Sequence, residues 1–151
     1  MDFLLSIYAG SDTGRVRKSN QDCYDYKILG EKLAFAVLCD GMGGQNGGQL
    51  AAEKATDFVT EMLSRDLRPG MAETSLRSIV LSAVAGANAL VYDISRKNEE
   101  LAGMGTTLIA AVFNGGHVFV AYVGDSRAYH LSAAGEETQL TKDHTVVQML
   151  L

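Results

Sequence analysis

Apolar residues change period several times along this chain, and each change marks a predicted element. Phe3 to Ala9 predicts a first strand, followed by a glycine-containing loop from Ser11 to Gly14. Cys23–Leu29 and Leu33–Cys39 predict two strands around a turn at Gly30-Glu31. The second is apolar at every position, which predicts a strand buried on both faces. From Gln49 to Leu63, Ala51, Ala55, Phe58, Val59, Met62 and Leu63 recur at helical spacing and form one stripe. Arg68-Pro69-Gly70 breaks the chain. A second helix is predicted over Glu73–Lys97, with Leu76, Ile79, Val80, Ala83, Val84, Ala87, Leu90, Val91 and Ile94 on one face. Three strands follow, near Thr106–Phe113, His117–Val123 and Arg127–Leu131, with Asn114-Gly115-Gly116 as a hairpin turn between the first two. Strands, then helices, then strands predict an α+β layered domain with mainly antiparallel sheets.

Composition narrows the class. The chain has 151 residues, enough for one core, with 47% hydrophobic and 21% charged side chains and a single proline, so a disordered tail is not expected. Eighteen acidic against 13 basic residues give a net charge of −5, which argues against a nucleic-acid binder. Cys23 and Cys39 form no C-x-x-C pair and sit in apolar runs; we read them as buried thiols in a reducing cytoplasm. The apolar start lacks the basic region of a signal sequence, and no apolar run is long enough to span a bilayer. Thr145-Val146-Val147-Gln148-Met149-Leu150-Leu151 is an apolar terminus of the kind found inside a larger domain, so continuation of the chain is expected.

Four stretches carry candidate chemistry. Asp40-Gly41-Met42-Gly43-Gly44 follows the apolar strand: a carboxylate fixed at a strand end suits a hard divalent cation, with the Gly41 carbonyl as a second oxygen ligand. The same residues also read as an ordinary strand-to-helix turn. Arg17-Lys18-Ser19-Asn20-Gln21-Asp22 offers an arginine able to clamp a phosphate with two parallel N–H bonds, and a second carboxylate; its bland reading is a solvated basic loop. Val123-Gly124-Asp125-Ser126-Arg127 presents a third carboxylate or is a tight hairpin with Arg127 on the surface. Gly103-Met104-Gly105-Thr106-Thr107 reads as close packing at the opening of a strand. No Ser-His-Asp or Cys-His pairing is evident.

Taken in order, these stretches and Leu140-Thr141-Lys142-Asp143-His144 resemble the metal-dependent type 2C serine/threonine protein phosphatases, in their bacterial branch, over essentially the whole chain. The resemblance implies a four-layer α-β-β-α sandwich, two antiparallel sheets flanked by helices, of which residues 1–151 form an incomplete N-terminal portion. It implies two or three Mn2+ or Mg2+ ions, with Asp40, the Gly41 carbonyl, Asp22 and Asp125 at metal positions and Arg17 on the substrate phosphate. Water activated between two cations then attacks phosphorus, and no protein nucleophile is needed. The implied partner is a phosphoserine or phosphothreonine protein, written by a bacterial serine/threonine kinase.

Three departures from the family pattern qualify that expectation. Gln21 stands where many members have Glu. Met42 stands where animal members have a histidine able to donate a proton. Two further metal-binding aspartates of the family's C-terminal part are not in this chain, so little phosphatase activity is expected from these residues alone. The alternative is a non-catalytic pseudo-phosphatase acting as an interaction or regulatory module. Unpaired sheet edges open a third route, self-association. His144 is read as structural, and His117 and His130 are given no role.

Overall fold

The computed structural model describes residues 5–16 and 19–145, without the side chains of residues 44–46. Its elements are β1 (Asp22–Gly30), β2 (Leu33–Met42), α1 (Gly44–Asp66), α2 (Glu73–Lys97), β3 (Gly105–Thr106), β4 (Leu108–Asn114), β5 (His117–Val123), β6 (Tyr129–Leu131) and β7 (Glu137–Gln139). A 3-10 turn at Glu99–Leu101 separates α2 from β3. The main sheet is antiparallel in the order β1-β2-β4-β5, with β3 added beside β2, and β6 and β7 form a separate antiparallel pair. The architecture is therefore α+β, with two antiparallel sheets and two helices.

Side-chain alternation in β2 decides which face is covered. Leu33, Phe35, Val37 and Cys39 are buried, while Leu38 and Asp40 on the opposite face are exposed. The buried set meets the α1 stripe of Ala51, Ala55, Val59 and Leu63 and the α2 stripe of Leu76, Val80, Ala83 and Ala87 in one core. Alanines at four of those eight helical positions let both helices lie close against the strands. Emptying the Phe35 site, which is fully enclosed, would cost about 3–5 kcal/mol.

Two expectations are corrected. The apolar run of β2 is not buried on both faces: Leu38 is 45% exposed, because among the described residues α1 and α2 cover one side of the sheet only. The strand expected over Phe3–Ala9 lies partly outside the described residues, and residues 5–10 have no regular structure. Ile7 to Gly10 instead border an open groove of about 320 Å³ with Tyr24, Tyr26 and Leu38, and Tyr8 stays 92% exposed. Helix α2 has the predicted bounds, whereas α1 begins five residues before its expected start, where glycines obscured the periodicity.

Candidate metal centre

Asp22 and Asp40 are Cα partners at the end of the β1–β2 pair. Their main chains show what kind of pair it is. The Gly41 N–H donates to the Gln21 carbonyl at 3.1 Å, whereas the Thr107 N–H donates to the Asp40 carbonyl at 2.9 Å on the other side of β2. Asp40 thus turns its backbone toward the β4 side. Asp22 and Asp40 form a non-hydrogen-bonded pair, the kind that brings Cα atoms to about 4.5 Å and side chains closest together. Since Cys39 points into the helical core, both carboxylates stand on the opposite face, at the sheet rim.

Two carboxylates directly opposite each other destabilise an antiparallel pair unless positive charge lies between them. With the Gly41 main chain alongside, the donor set is hard oxygen, the chemistry that Mg2+ and Mn2+ select. The residues present therefore fit a hard cation, although no group of three or more His, Cys, Asp or Glu side chains gathers among the described residues.

Glycine is required at this turn. A Cβ on Gly41 would run into the Gly48 carbonyl and lie 2.9 Å from the Gln21 oxygen. Gly43 holds φ at +116° against Met104, which starts α1 and lets the chain fold back tightly on the strand end. Ahead of β1, the Asn20 side chain accepts from the Asp22 N–H at 3.0 Å and donates to the Ser11 hydroxyl. Ser11 in turn makes a long 3.5 Å contact with the Asp22 carboxylate.

Asp125 lies in the turn after β5, where Gly124 has φ +104° and rests on the Thr107 side chain. Its neighbour Ser126 is 2.6 Å from the Thr107 hydroxyl, and that hydroxyl accepts the Asp40 N–H at 3.0 Å. The Asp125 turn is thus one buried side chain away from Asp40. Arg17 lies outside the described residues. Met42 is 61% exposed and has no proton to give.

Residues 141–144 strap this turn in place. His144 exchanges main-chain and ring contacts with Gly124, at 3.0 and 3.4 Å, and stacks on Tyr122 at 5.0 Å between centroids. The Arg127 guanidinium grips the Asp143 carboxylate, which lowers the Asp143 pKa and raises that of Arg127. Sequence reasoning placed Arg127 at the surface, where it is, but did not foresee its fork to Asp143, and it read Thr107 as packing. The available signal was a polar residue beside the buried Leu108, which has to find a partner.

Facing carboxylates on a glycine-turned sheet rim, a donor set suited to a hard cation, thus sit on an α+β layered fold. The chain belongs to the protein phosphatase 2C family, whose sequence profile matches residues 9–146. It is 36% identical over 148 residues to the serine/threonine protein phosphatase PstP of Mycobacterium tuberculosis, covering 98% of this chain and 27% of that protein. It resembles the structure of the serine/threonine phosphatase Stp1 from Staphylococcus aureus, with TM-score 0.82, 31% identity, and coverage of 99% of this chain and 59% of that one. The PstP catalytic domain in complex with two manganese ions matches with TM-score 0.74 and 35% identity, covering 93% of this chain and 56% of that one. The chain thus spans less than two thirds of the length of each.

Proposed function

We propose that this chain carries the N-terminal share of the metal and phosphate site of a Mn2+- or Mg2+-dependent protein serine/threonine phosphatase. The facing pair Asp22 and Asp40 carries the reading. Asp40 and the Gly41 carbonyl hold cation directly, Asp22 anchors it through water, Asp125 serves a further cation position, and Arg17 clamps the substrate phosphate. Bound cations supply an activated water and neutralise charge on the phosphoryl group. The chain's own part is to hold the carboxylates at fixed spacing on a rigid strand end, so that little reorganisation accompanies reaction. Met42 donates no proton, so the leaving oxygen takes its proton from solvent.

The substrate in this reading is a phosphoserine or phosphothreonine protein modified by a bacterial kinase, in the cytoplasm. Two carboxylates hold a cation weakly, so the 151-residue chain alone turns over little substrate. The test is manganese-dependent hydrolysis of an aryl phosphate by this chain and by a form extended to the length of its relatives. The extended form is expected to be active and its Asp40→Asn variant inactive; equal turnover by the extended form and that variant refutes the assignment.

The absence of a three-ligand cluster among the described residues favours a second reading, a non-catalytic interaction module. Exposed Tyr24, Tyr26, Ile28 and Leu38 on the open sheet face supply apolar surface for it, including for self-association. An extended form that binds no manganese and hydrolyses nothing would favour this alternative.

A further inference from the structure

The β2 ladder is rerouted at one position. Leu38 pairs with Ile109 and Gly41 with Thr106, which puts Asp40 directly opposite Thr107. A regular hydrogen-bonded pair there would exchange two backbone bonds. One is made, from the Thr107 N–H to the Asp40 carbonyl. For the other, the Asp40 N–H goes to the Thr107 side-chain hydroxyl at 3.0 Å, and the Thr107 carbonyl accepts the Thr106 hydroxyl at 2.8 Å instead.

That substitution links two loops. The Thr107 hydroxyl also meets the Ser126 hydroxyl at 2.6 Å, and Thr107 is 93% buried, so these bonds form away from competing solvent. Gly124 packs on the same side chain, where a Cβ would approach the Thr107 Cγ2 to 2.7 Å. One threonine therefore fixes the main chain of Asp40 and the turn that carries Asp125.

We propose that Thr107 is a positioning residue that couples the Asp40 and Asp125 carboxylates, so that cation capture at one is felt at the other. The proposal rests on the cation reading given above. A valine at this position keeps the shape and loses the hydroxyl, while a serine keeps the hydroxyl and loses the methyl. The two substitutions separate hydrogen bonding from packing.

The experiment follows amide signals of the isotope-labelled 151-residue chain by NMR as Mn2+ is added. In the wild-type chain, paramagnetic broadening is expected to spread from Asp22 and Asp40 to residues 124–126 with one midpoint. Thr107→Val leaves the Asp40 N–H without its acceptor, and the midpoint is expected to rise roughly tenfold. Thr107→Ser is expected to return it to within about twofold of wild type, the hydroxyl being kept. Ser126→Ala should keep broadening at Asp22 and Asp40 while residues 124–126 titrate separately. Wild-type behaviour in Thr107→Val, or equal defects in the Val and Ser variants, overturns the role of the hydroxyl while leaving the cation site standing. Absence of localised broadening in the wild-type chain overturns the cation reading and this proposal with it.

Discussion

Arg127 and Asp143, sixteen positions apart, meet through two parallel bonds, Nε to Oδ1 at 2.9 Å and Nη2 to Oδ2 at 2.7 Å. This fork holds the strap of residues 141–144 over the turn that bears Asp125. The hydrogen bonds from Arg127 depress the Asp143 pKa, so the pair stabilises the fold above the ordinary Asp value of about 3.9 and loses that contribution as pH falls through the lower, folded value. The protection factor of the His144 amide, its exchange rate corrected for the intrinsic pH dependence, is expected to fall on acidification in that range. Arg127→Lys keeps the charge but not the fork and is expected to show quicker exchange already at neutral pH. Unchanged exchange in that variant would remove the fork from the account.

Cys39 gives the opposite pH dependence. Burial pushes its thiol up to about 11. The unfolded chain ionises this group near 8.5, so stability is fully present below that pH and declines as pH rises toward 11, by at most about 1.4 kcal/mol per pH unit. Urea unfolding across this range should show the decline, and Cys39→Ala should flatten that part of it. The native thiol should also resist alkylation at pH 8 until the chain unfolds.

Gly41→Ala places a methyl against backbone oxygens of Gly48 and Gln21, which have no side-chain freedom to yield. A loss of about 3 kcal/mol is expected in urea unfolding. A loss under about 0.5 kcal/mol, the range of ordinary surface changes, would mean the strand end is looser than its contacts imply.

Asp40→Asn removes one of two facing charges while keeping size. The fold should persist with equal or slightly greater stability, because like charges no longer oppose each other. Manganese affinity should drop on the order of tenfold, since charge count sets affinity at oxygen sites. Thermal melting with and without Mn2+ checks both. A variant less stable than wild type without cation would mean that the pair is not repulsive.

Much of the fold was legible because its periodicities are strong. The α2 stripe and the Gly115-Gly116 turn mark their elements unaided, since the apolar spacing and a glycine at φ +61° leave few alternatives. The short strands β3 and β7 were not legible, because two or three residues carry no period. Within the site, Asp22 and Asp40 were nameable from their motifs. Their opposition depends on hairpin register, which the motifs alone do not encode. The joining role of Thr107 was hidden for a different reason: a side chain replaces a backbone acceptor there, and composition cannot distinguish that from packing.

The tip of the first hairpin, Glu31-Lys32, lies at the far end of β1 and β2 from the two aspartates, with a register irregularity between Ile28 and Gly30. Strand pairing converts that distant geometry into alignment at the rim. Were the pairing displaced by one residue, Asp22 would face Cys39 or Gly41, and the side chain opposite Asp40 would belong to Gln21 or Cys23. The length of a solvent-exposed loop therefore decides whether two acids meet roughly 27 Å away, at about 3.4 Å per residue.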